Sequence, residues 1–176
     1  ANALGIYRLK EANSRFLHGP TKTIINWGSS RFPNEESASS NWINNPTVVA
    51  VTGNKKTFFE RYGASDFYIP WTTSDDKAKE WLENGKTVVG RSNLTGHSGA
   101  GIILMDKSNP MGWTNCPLYT LYKPKKQEFR VHVMRGEAFL IQKKVLKQDF
   151  DTDKINWQVR NLSSGFIYQR NNVVVP

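Results

Sequence analysis

The chain has 176 residues, 38% hydrophobic and 12% aromatic, with six tryptophans, and its length allows one sizeable core or two small subdomains. This composition excludes a disordered chain. The formal net charge of +9 favours an anionic partner: nucleotide, nucleic acid or membrane surface. The single cysteine, Cys116, excludes an intrachain disulfide and fits a reducing cytoplasm.

The opening stretch, ANALGIYRLKEANSRF, predicts a short helix carrying Leu4, Tyr7 and Leu9, and it lacks the apolar core of a signal peptide. No apolar run in the chain approaches the roughly 18 residues that a spanning helix needs, so a soluble protein is expected. TIINWGSS (23–30) reads as a strand ending in a glycine-serine turn. Residues 31–46 are polar and turn-rich and predict a loop, and TVVAV (47–51) predicts a β-branched strand. NKKTFFERYG (54–63) predicts a short helix with Phe58, Phe59 and Tyr62 on one side and Gly63 as its stop. YIPWTT (68–73) predicts an extended linker, because Ile69 precedes a proline.

A clearer helix follows. Ser74 caps it, Asp75 and Asp76 suit the positive end of its dipole, and Ala78, Trp81 and Leu82 form its apolar stripe. Asn84-Gly85 stops it. KTVVGRS (86–92) and GIILMD (101–106) predict two strands joined by a glycine loop, and PLYTLYKP (117–124) predicts a further extended run. In EFRVHV (128–133), Phe129, Val131 and Val133 alternate with Arg130 and His132, which predicts one core face and one cationic face. RGE turns the chain into AFLIQKKVL (138–146), and NWQVRNLSSGFIYQRNN (156–172) predicts a strand, a polar Ser-Ser-Gly loop and another strand. The expected fold class is mixed α/β (α+β) with several antiparallel hairpins.

Two features carry candidate chemistry. Glycines in SNLTGHSGAGIIL let backbone amides approach an anion without a Cβ in the way, and Thr95, His97 and Ser98 add donors. The same pattern also fits a ligand-free hairpin. It is neither a Walker A motif nor a dinucleotide-binding turn, since no Gly-Lys-Ser/Thr follows and no helix opens from it. The second feature is the basic stretch from Lys123 to Lys147. Its lysines at 123–126 suit a solvated sheet edge, whereas Arg130, between the apolar Phe129 and Val131, points to a ligand or a buried pair. His18, His97 and His132 are too scattered for a zinc site. The DFDTD cluster (149–153) lacks the glycine and glutamate of a calcium loop and reads as a solvated loop.

The order of these pieces is informative. NKK opens a short helix, then come YIPWT, a helix, VVGRSNLTGHSGAGIIL, LYTLYKP, EFRVHVMRGEAFLIQKK and VRNLSSG. Over roughly residues 47–170 this order resembles the ATP-grasp superfamily. More narrowly, it resembles the small phage proteins of that superfamily classed as carboxylate-amine ligases. The resemblance implies ATP held between two α+β subdomains. Residues 1–73 would precede the ATP-grasp unit, 74–119 would form the small glycine-loop subdomain, and 120–176 would form part of the large one.

Residue by residue, the resemblance implies the following. Lys55, with Lys56 as alternate, matches a nucleotide-contacting lysine. Arg91 falls where most relatives carry a phosphate-contacting lysine. Gly96, His97, Ser98, Gly99 and Gly101 match the loop that folds over the triphosphate. Thr120 to Lys123, with Tyr122 and Lys123 at the contact, match the hinge whose backbone pairs with adenine. Arg130 matches an arginine near the reacting phosphate and acyl substrate, and Arg160 and Asn161 match a second arginine and its polar neighbour.

Relatives continue with a Glu-x-Asn motif whose side chains hold magnesium, and no Glu-x-Asn lies downstream of Arg160. The resemblance therefore implies ATP and magnesium as cofactors without assigning metal ligands in this chain. A second polypeptide or a symmetry mate would complete the site, or the chain is a portion of a longer enzyme, or the fold has kept a binding role without catalysis. The expected partners are a nucleotide, a carboxylate and an amine, with no membrane, in the cytoplasm (the host's, if the protein is viral). Two other readings stay open: a phage product docking on a host macromolecule, and a nucleic-acid binder in which Tyr119, Tyr122 and Phe129 stack bases between lysines.

Overall fold

The structure, a computed structural model, describes residues 16–96, 98–108 and 112–175; the expected N-terminal helix, with Leu4, Tyr7 and Leu9, lies outside them. The chain divides into two compact units, residues 1–65 and 66–176. The described residues are mixed α/β, with three α-helices and mostly antiparallel strands. No helix among them is long and apolar enough to cross a membrane.

In the first unit, strand β1 (Thr23–Ile25) pairs in parallel with β2 (Asn41–Ile43), bringing Ile24 opposite Trp42. Ile24 is buried, and Asn26 just after it is buried with its amide fully used. Asn26 Nδ2 donates to the Ser29 and Asn44 carbonyls at 2.7 and 2.8 Å, and its Oδ1 accepts from Ser29 N at 2.7 Å. One side chain thus ties the turn after β1 to the end of β2.

The sequence misleads twice here. Residues 31–46, expected as loop, contain a 3₁₀ turn (Glu36–Ser39) and β2. Asn34 Oδ1 builds the turn by accepting from Ser37 N at 2.9 Å, and β2 depends on pairing with β1, which lies well upstream in the sequence. Residues 47–51, expected as a strand, are helix α1 (Pro46–Gly53). Asn45 Oδ1 accepts from Thr47 N at 2.9 Å, and Pro46 occupies the first turn, where its missing N–H costs nothing. The strand preference of four β-branched residues, Thr47, Val48, Val49 and Val51, is worth only tenths of a kcal/mol each against that start. Asn54 then caps α2 (Lys55–Tyr62), accepting from Lys56 N at 3.0 Å, and Gly63 closes it as expected.

In the second unit, β3 (Trp71–Thr72), β4 (Val88–Arg91), β5 (Ile102–Met105) and β6 (Tyr119–Leu121) form an antiparallel sheet in the order β3-β6-β4-β5. The expected linker at 68–73 therefore contributes an edge strand. Helix α3 (Asp75–Glu83), with Ser74 Oγ accepting from Lys77 N, covers one face of this sheet. Its Ala78 joins Val88, Met105, Cys116 and Tyr119 in the core, flanked by Trp81, Leu82, Ile103 and Trp113. Gly90 is needed there, because a Cβ would lie 2.7 Å from Cys116 Sγ.

A second antiparallel sheet, in the order β7-β8-β9, comprises β7 (Phe129–Met134), β8 (Glu137–Leu146) and β9 (Phe166–Gln169). Arg135 and Gly136 join β7 to β8, both with positive φ (53° and 85°), as a two-residue primed turn requires. Two expectations are corrected. Val131 and Val133 are 49% and 62% exposed, so the valine face of β7 is not core. A bulge between His132 and Val133 also shifts the ladder there. Residues 156–161 form no strand; Asn156 Oδ1 accepts from Gln158 N and Val159 N, a turn that competes with ladder pairing.

Candidate functional site

The glycine hairpin grows directly out of β4 and β5. Ser92 N donates to Gly101 O at 2.9 Å and Ile102 N to Gly99 O at 3.2 Å, which closes the tip. Gly99 and Gly101 have φ of 84° and 73°. A Cβ on Gly101 would lie 2.6 Å from Asn93 N, and one on Gly99 would lie 2.9 Å from Val159 Cγ1. Both glycines are therefore demanded by close approach as well as by backbone conformation. Gly96 is similarly tight against the Asn93 side chain. His97 lies outside the described residues.

The hairpin meets the segment that was expected to carry Arg160 and Asn161. Asn161 Nδ2 donates to Ser98 O at 2.7 Å. Its Oδ1 accepts from Ser164 N, Ser163 Oγ and Ser164 Oγ at 2.9, 2.7 and 2.8 Å, capping the 3₁₀ turn Leu162–Ser164. Arg160 Nη2 donates to Lys125 O at 2.7 Å and Nε to Trp157 O at 3.2 Å. The Arg160 guanidinium thus braces two loops against each other, with the rings of Trp157 and Phe166 about it.

One step further in, Lys144 Nζ donates to Arg160 O at 2.7 Å and to Glu128 Oε1. Lys125 Nζ lies 2.9 Å from Glu128 Oε2. Burial alone would raise the Glu128 carboxyl, but hydrogen bonds from Lys144 and Lys125, together with their charges, hold it below the usual carboxylate range. Arg130 differs from these cations. Its guanidinium lies 3.8 Å from the centre of the Tyr168 ring, and among the described residues it has no carboxylate partner. On the same face, His132 Nε2 donates to Gln142 Oε1 at 3.0 Å.

Arg91 stands at the root of the hairpin. Val88 and Gly90 face α3, so the alternation along β4 turns Val89 and Arg91 to the other face of the sheet, the face that Thr120 shares through its pairing with Val89. Arg91 Nε and Thr120 Oγ1 are both buried, and neither has a hydrogen-bond partner among the described residues. Burial lowers the Arg91 pKa from its ordinary value. At the expected hinge, Tyr122 N donates to Thr87 O at 2.9 Å, so this amide is already used, and Lys123 is exposed.

The structure therefore brings Ser98, Gly99, Asn161, Arg160 and Arg130 into one connected network, with Arg91 at the base of the hairpin that enters it. Lys55 belongs to the first unit, half-buried in the first turn of α2. Sequence reasoning missed Tyr168, Lys144 and Glu128. Only the registers β7–β8 and β8–β9 bring Arg130 and Lys144 to the Tyr168 ring, with Glu128 on Lys144, and no local pattern in QKK or FIYQ signals it. Tyr119, expected as a stacking platform, is instead fully buried, its ring against Trp113 and its hydroxyl donating to Asp75. The three-acid stretch at 149–153 caps its own turn, with Asp151 Oδ1 accepting from Asp153 N. Compared with known proteins, the chain matches no family model, no curated protein and no solved structure.

Proposed function

We propose that this chain is an ATP-grasp-like nucleotide-binding protein of the carboxylate-amine ligase type, acting whole or as part of a larger assembly. The observation that carries the reading is Arg91: a half-buried guanidinium with an orphaned Nε at the mouth of a glycine hairpin. A buried donor without a partner costs on the order of 1–3 kcal/mol, and an anionic ligand in that hairpin would recover it. Thr120 Oγ1 supplies a second waiting polar atom on the same sheet face. The exposed Arg130 fork adds a third, with donors suited to a phosphate or carboxylate.

In this reading a carboxylate oxygen attacks the γ-phosphorus of ATP, and ADP leaves. An amine nitrogen then attacks the acyl carbon, and phosphate leaves. Arg91 and the 98–101 amides hold phosphate oxygens, and Arg130 offsets charge gathering on the transferred group. Arg160, spent on main-chain carbonyls, orders the loops that frame them. Magnesium is a separate matter. Among the described residues no three carboxylate, histidine or cysteine side chains converge, so any magnesium here would be held chiefly by the phosphates of the nucleotide.

Thermal melting with Mg-ATP tests the reading. Millimolar Mg-ATP is expected to raise the melting temperature of the wild-type chain, and Arg130→Ala to remove most of that rise. An unchanged wild-type melting temperature overturns the reading. The nucleic-acid alternative loses one of its three aromatics, since the buried Tyr119 ring offers no face to a base.

A further inference from the structure

We propose that Tyr168 is the positioning residue for Arg130: it holds the guanidinium by its π-face so that the N–H fork stays free to grip an oxyanion in two-point fashion. The inference rests on the nucleotide reading only for the identity of that anion.

Two cations share the Tyr168 ring, and they are treated differently. Lys144, directly opposite Tyr168 across the β8–β9 ladder, has its ammonium 5.0 Å from the ring centre. Its side chain is only 10% exposed, and its charge is answered by Glu128 and by the Arg160 carbonyl. Lys144 is a tether, with little left to offer a ligand. Arg130 pairs with Gln142 across the β7–β8 ladder, which sets it diagonally across β8 from Tyr168. Its guanidinium is 3.8 Å from the ring centre, and the side chain is exposed.

The chemistry of the contact matters. A carboxylate partner would consume two of the five guanidinium N–H groups and cancel the charge. An aromatic face uses none of them, because the attraction is between the cation and the ring quadrupole. The ring also restricts a side chain with many rotamers, so less freedom is lost when an anion binds. Glu128, the carboxylate of the network, is engaged by Lys144 and Lys125 instead. Arg130 is thereby left as a charged, oriented and uncompensated group.

Side-chain NMR of the full chain tests this without any nucleotide. The Arg130 Nε–H resonance of the wild type is expected upfield of exposed arginines, from the ring current of Tyr168. Tyr168→Phe should keep that shift and Tyr168→Leu should lose it. Inorganic pyrophosphate should then move the Arg130 resonance, with an affinity about fivefold weaker in Tyr168→Leu and close to wild type in Tyr168→Phe. An unshifted Arg130 resonance in the wild type overturns the proposal even if neither variant folds. So does a Tyr168→Leu protein that binds pyrophosphate as tightly as wild type, or an Arg130 resonance that pyrophosphate does not move. Failure of the Mg-ATP melting test, by contrast, overturns the nucleotide reading and leaves the stack to be decided by the resonance.

Discussion

Asn161 Nδ2 donates to the carbonyl oxygen of Ser98 at 2.7 Å, joining residues 63 positions apart. The same side chain uses its oxygen to cap the turn that follows it, so its two halves do different work. Asn161→Asp keeps the acceptor and sets a carboxylate oxygen against the Ser98 carbonyl. The cap should survive and the hairpin tip should loosen. Hydrogen exchange at the Ile102 and Ser92 amides, which close the tip, is expected to speed up about fivefold, as loss of one net hydrogen bond implies. Unchanged exchange at both amides would show that this contact does not hold the hairpin.

Arg91→Met separates stability from binding. Replacing a half-buried cation with an unpartnered Nε by an apolar chain of similar reach should leave stability unchanged or raise it by about 1 kcal/mol. The same change should abolish the Mg-ATP melting shift. A steep loss of stability on denaturant titration would mean that the guanidinium already has a partner.

Glu128→Gln removes the charge that answers Lys144 and Lys125, and should cost about 2 kcal/mol at neutral pH. The pH dependence follows from the sign of the shift. The Glu128 carboxyl titrates lower in the folded chain than its ordinary value near 4.5, so its stabilisation is present above that value. It is lost as pH falls through the lower, folded pKa. The stability gap between wild type and variant should therefore be widest near neutrality and close in acid below the ordinary glutamate range. A gap that widens on acidification would contradict the network.

Tyr119→Phe tests the core of the glycine-hairpin sheet. The Tyr119 hydroxyl donates to Asp75 in the first turn of α3 and accepts from Cys116 N at 2.5 Å. Burial first, and the Asp75 hydrogen bond second, push the hydroxyl well above its ordinary pKa, so it stays protonated. Phenylalanine fills the volume but orphans a buried amide, at a cost of about 2 kcal/mol by chemical denaturation. A neutral effect would mean that water replaces the hydroxyl.

Much of this molecule is legible locally. The α3 start at Ser74, the α2 stop at Gly63, the Arg135-Gly136 turn and the β4–β5 glycine hairpin each depend on residues within a few positions of one another. Capping and positive-φ demands act at that range, and the sequence alone determined them. Helix α1 shows the limit of the same logic, because Asn45 and Pro46 outweigh a β-branched run. Tertiary structure decided the rest. The parallel partner of β1, the exposure of Val131 and Val133, and the meeting of Arg130 with Tyr168 and of Ser98 with Asn161 depend on ladder register and loop docking. Register is a property of two strands at once, and it chooses which side chains share a face. A one-residue slip would turn Tyr168 to the opposite side of its sheet, with no change in local preference to announce it.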